Sequence, residues 1–182
     1  MITPDDAVTN AQMRAVIRLR RPVNLTLAAL GPDYVGLVSG GFVMVGNQLR
    51  FESEAKRLGP NEVGRDPRVS ESQEEWEEND VFIRSGLRFD DPAWRVQIML
   101  TALDIVQKML PQAAAIARYP VQAIIFLNPD PDEPGDEEDE LACGGVKFHQ
   151  LHPSDPMDQR LDLGVNQPAA VFTMEANRAG AN

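Results

Sequence analysis

The chain has 182 residues, a formal net charge of −11 and a single cysteine, Cys143. That acidity excludes a general nucleic-acid binder, which presents a basic surface to phosphates, and one cysteine excludes a disulfide framework or a multi-cysteine zinc site. The apolar share of 43% and charged share of 25% are globular values, and a chain of this length buries roughly 70% of its unfolded surface, enough for one domain without staples.

Asp5 and Asp6 stand where a secretory signal needs lysines and an apolar run. No uninterrupted apolar stretch reaches the 18 or so residues of a membrane span. The expected location is the cytoplasm, or a virus-like particle assembled there, with no membrane partner.

The pattern predicts a helix over 3–19. Thr3 is its cap, Pro4 its first residue, and Asp6 lies three residues after the cap, where a carboxylate reaches back. Arg14, Arg18, Arg20 and Arg21 match the negative end of the helix dipole. Pro22 stops the helix, and Val23, Leu25 and Leu27 alternate with polar residues as in a half-buried strand. Gly31-Pro32-Asp33 reads as a turn and Tyr34 to Val38 as a short strand. Phe42 to Val45 and Leu49 to Ser53 flank Gly46-Asn47-Gln48, which predicts a β-hairpin.

Residues 54–80 hold few core candidates. Trp76 sits in a solvated acidic run with Glu74, Glu75, Glu77 and Glu78, and a large aromatic there either docks on the body or meets a partner. Strand character returns at Val81 to Arg84 and Leu87 to Phe89, with Gly86 as a bulge. Asp90 or Asp91 then caps the main helix, with Pro92 in its first position. Ile98, Leu103, Ile105, Val106 and Met109, joined by Met99, Leu100 and Ala102, cover more than one face, so this helix is buried inside the domain or between subunits. Pro111 is expected to end or kink it, with a short second piece over 112–118. Val121 to Leu127 is apolar on both faces, as a central strand is. Later strands are expected around Val146 to Leu151 and over Ala169 to Glu175.

The acidic stretch after the central strand invites a calcium reading. Asp130, Asp132, Gly135, Asp136 and Glu138 fall on positions one, three, six, seven and nine of a calcium loop. Pro134 occupies position five, Leu141 occupies position twelve where the bidentate glutamate belongs, and a strand precedes the loop. The reading is therefore a solvated or partner-facing loop, with no metal expected. Cys143 and His149 share a face if one strand carries both, but six residues at roughly 3.3 Å each hold them about 20 Å apart, too far for a nucleophile and its base. Capping explains Asp90 and Asp91, and Asp104 fits a polar position on the helix. No phosphate-loop, dinucleotide-fold, serine-elbow or zinc-protease motif is present, so no cofactor is expected.

These elements predict an α+β domain spanning 1–182. Its sheet is mainly antiparallel, one long buried helix packs on a face, a helix stands at the N-terminus, and acidic loops occupy 54–80 and 129–141. The element order is similar to that of small assembly proteins of phage tails and head-tail junctions, a likeness of order alone. The expected function is a non-enzymatic structural or assembly subunit of a homo-oligomer, in the setting that this likeness implies, a virion component. Its partners are copies of itself or other protein subunits, with no sequence-specific nucleic-acid contact. Interaction is expected through Arg14, Arg18, Arg20 and Arg21, through Trp76 with Glu74 and Glu75, and through Asp132, Asp136 and Glu138. The alternative is an acidic binding module, of inhibitor or immunity type, for a basic partner; the third reading is an enzyme centred on Cys143.

Overall fold

In a computed structural model of the protein, residues 2–19, 25–28, 30, 32–58, 75, 78–88, 90–128, 141–153 and 169–177 are described. A 3-10 turn at Pro4–Asp6 leads into β1 (Val8–Thr9) and α1 (Ala11–Ile17). Next come α2 (Pro32–Gly40), β2 (Phe42–Val45), β3 (Gln48–Phe51) and α3 (Glu52–Leu58). Then follow β4 (Asp80–Arg88), the long helix α4 (Ala93–Ile116), β5 (Val121–Asn128), β6 (Leu141–Gln150) and β7 (Ala169–Met174). Strands order as β1-β7-β5-β6-β4 in one sheet and β2-β3 in a second, and every pairing is antiparallel. The fold is α+β, with α4 against the larger sheet.

The period-two pattern of β5 decides its place. Val121, Ala123, Ile125 and Leu127 are all but inaccessible to solvent. Ala123 lies between Phe148 and Phe172, and Ile125 between Val146 and Ala170, so these three strands present one apolar sheet face. A Cβ on Gly144, the partner of Leu127, would sit 2.9 Å from Ile98 Cγ2 of α4, which identifies that face as the one under the helix. On α4 the side chains of Trp94, Ile98, Ala102, Ile105, Met109 and Ala113 are buried, and each large one stabilises the fold by roughly 1.5–3 kcal/mol. The helix's apolar excess is thus consumed inside the chain.

Gly145 points to the opposite face. A Cβ there would meet the Phe126 ring at 2.8 Å, so the ring of one strand covers the bare backbone of the next. The double glycine after Cys143 is therefore explained by packing on both faces.

Two inward polar residues of α4 bind the flanking chain. Gln97 Oε1 accepts from Ser85 Oγ and from the Gly86 N–H, and its Nε2 donates to Thr26 C=O. Thr101 Oγ1 accepts the Ala28 N–H at 2.8 Å. The bulge expected at Gly86 coincides with a register shift between Arg84 and Arg88.

Several local expectations change. The helix over 3–19 is broken: Thr3 and Asp6 do bond, which holds the Asp6 carboxyl below its ordinary range, but Val8 and Thr9 are pulled into the sheet beside β7. Asn10 then caps α1, accepting the Met13 N–H at 2.8 Å. Leu25 to Ala28 carry no strand, and Leu27 is exposed. Tyr34 to Val38 lie in helix α2, which Pro32 opens and Gly41 closes, with φ 74° and its N–H on Leu37 C=O. The 54–80 stretch opens as helix α3 rather than as loop. The hairpin holds, turning at Gly46 with φ 63°. Pro111 neither ends α4 nor separates a second piece, since the helix runs on to Ile116. Proline lacks the N–H that Gln107 C=O would accept, and next to that gap Gln112 Nε2 donates to Lys108 C=O. At the other end Asp91 Oδ1 accepts the Ala93 N–H, as expected of a cap.

Candidate functional site

The densest set of polar contacts among the described residues lies where β3, β6 and the residues ahead of β4 meet. The Asn79 N–H donates to Glu75 C=O at 2.9 Å, the bond of a single α-turn, so the two side chains share a face. Both are fully buried. Glu75 Oε1 accepts the Leu49 N–H at 2.8 Å and Gln150 Nε2 at 2.8 Å, while Oε2 accepts the Gln150 N–H at 2.6 Å. His152 Nε2 lies 3.1 Å from Glu75 Oε1. A carboxylate with that many donors is held as the charge-assisted hub of a satisfied network.

Asn79 does something different. Its side-chain carboxamide has the chemistry of a peptide group and is used as one. Nδ2 donates to Leu49 C=O at 2.7 Å, and Oδ1 accepts the Phe51 N–H at 3.2 Å. Those are the groups of β3 that face away from β2, and a neighbouring strand would otherwise take them. The backbone carbonyl of Asn79 accepts the Phe148 N–H at 3.0 Å, just past the Asp80–Lys147 pair where β4 begins. Glu75 and Asn79 thus continue β4 along β6 while closing the edge of β3.

Gln150, also fully buried, is the second hub. Its Oε1 accepts the Arg118 and Tyr119 N–H groups and its Nε2 donates to Asn47 C=O as well as to Glu75. The Tyr119 ring stands 5.1 Å from that of His152. Arg50, buried on β3, bonds Gln48 Oε1 and pairs with Glu78 at 2.9 Å.

The Glu75–His152 pair resembles the orienter and base of a catalytic dyad. It lacks Cys143 as a nucleophile. The thiol sits toward the other end of an unbroken β6, more than about 20 Å away at 3.3 Å per residue. Cys143 and His149 fall on one face of that strand with the expected separation; Cys143 lies across from Arg84 and Asn128, His149 across from Gln122.

The expected contact residues are scattered. Arg14 and Arg18 are exposed on and just after α1, and the Arg14 guanidinium bonds Thr9 C=O. Glu75 is a correction: placed by sequence in a solvated acidic run, it is inaccessible because its carboxylate is needed by three backbone and side-chain donors inside. Trp76, Glu74, Arg20, Arg21, Asp132, Asp136 and Glu138 lie outside the described residues, as does the calcium-like spacing. Asp104 pairs with Lys108 one turn on, at 2.6 Å. Sequence reasoning missed Asn79, Gln150 and His152 as a set. The i,i+4 spacing of Glu75 and Asn79 just ahead of a strand was the available signal.

Among the described residues no group of three or more His, Cys, Asp or Glu side chains is disposed to hold a metal ion, and no helix is long and apolar enough to cross a membrane. Compared with known protein families, with curated proteins and with solved structures, the chain matches none.

Proposed function

We propose that this protein works through its surfaces, as a non-enzymatic assembly subunit that binds copies of itself. The observation that carries the reading is where the reactive groups go. Gln150 and His152 both bond the buried Glu75 carboxylate, and Cys143 and His149 stand apart along β6. The margins of the large sheet speak for contacts instead. Its outer strands are β1 and β4, with Val8 68% exposed on the first and Arg84 exposed on the second. Strand edges and exposed apolar side chains are the usual material of subunit contacts. The net charge of −11 supplies the complement: Arg14 and Arg18 of one copy face acids of the next, those within 71–80 other than the buried Glu75, or those within 130–140. The virion setting, a phage tail or head-tail junction, extends this reading on element order alone.

Light scattering over a concentration series is the test. A ring or larger oligomer that loosens in high salt is expected. A strict monomer at high concentration overturns the reading. The excess negative charge favours a second one in that event, an acidic module that captures one basic partner.

A further inference from the structure

We draw no further inference here: the strongest candidate, the face of the larger sheet opposite α4, where Phe82 and Phe126 flank Gly145 with Arg84 over the first ring and Lys147 over the second, carries none because nothing in the structure shows what covers it.

Discussion

Two carboxylates five positions apart meet opposite treatment at the start of β4. Glu75 is inaccessible, and its oxygens receive the Leu49 N–H, the Gln150 N–H and Gln150 Nε2, with His152 Nε2 alongside. Asp80 is only partly buried, yet among the described residues its Oδ1 has no hydrogen-bond partner, and its other oxygen meets Lys147 at 3.3 Å. Burial pushes the Asp80 carboxyl above its ordinary 3.8, against the pull of Lys147. Depth alone does not decide how a buried charge fares. The number of donors aimed at it does, and the deeper group has the better company.

The largest effect belongs to the saturated site. Glu75→Ala leaves the Leu49 and Gln150 N–H groups and His152 without their shared acceptor, although all three residues are buried. Removing one member of such a buried charged network costs about 3–5 kcal/mol, and denaturant unfolding measures it. The loss is expected to show in the region joining β3, β6 and the Tyr119 turn. A loss below about 1 kcal/mol would mean the network is not held together by its carboxylate.

Asp80 gives a smaller effect with a sign that depends on pH. Its folded pKa is raised, so the folded state holds the proton more tightly than the unfolded chain does. The contribution of Asp80 to stability is therefore full below 3.8 and lost as pH rises through its raised folded value. Asp80→Asn cannot ionise. Across unfolding curves from acid to neutral pH, the Asn variant is expected to gain on the unsubstituted protein as pH rises and then hold a constant difference. A gain in the reverse direction would mean that Lys147 outweighs desolvation.

The difference between the two sites also explains what was legible in the sequence. Composition and period expose α4, β5 and the β2–β3 hairpin because their signals are local. The i,i+3 and i,i+4 apolar pattern of Ile98, Ala102 and Ile105 needs no knowledge of partners, nor does the unbroken run Ile124 to Leu127. Glu75 reads as solvated because its neighbours in sequence are acids, while its bonding partners lie 26 and 75 positions away. The strand at Val8–Thr9 and the helix over Tyr34 to Val38 are likewise set at long range or by caps. β7 recruits the first, and Pro32 with Gly41 frames the second. A charge run predicts a solvated surface only when no backbone donor elsewhere in the fold is left seeking a carboxylate.

Asp104 supplies the third point on the same scale, and the smallest effect. It reads as a polar position on the long helix and is one, with its Lys108 partner at 2.6 Å and both side chains substantially exposed. Water reaches the pair, so the ion pair contributes about 0.3–0.5 kcal/mol. Asp104→Ala gives up that pairing but gains up to about 0.5 kcal/mol of helix propensity. The two nearly cancel, and the unfolding midpoint is expected to stay within the scatter of repeat measurements, the more so in high salt, where the lost pairing is screened. A loss above about 1.5 kcal/mol would break the ordering, because an exposed one-turn pair cannot supply it. Asp104 would then have to be treated like Glu75, as a carboxylate whose neighbours depend on it.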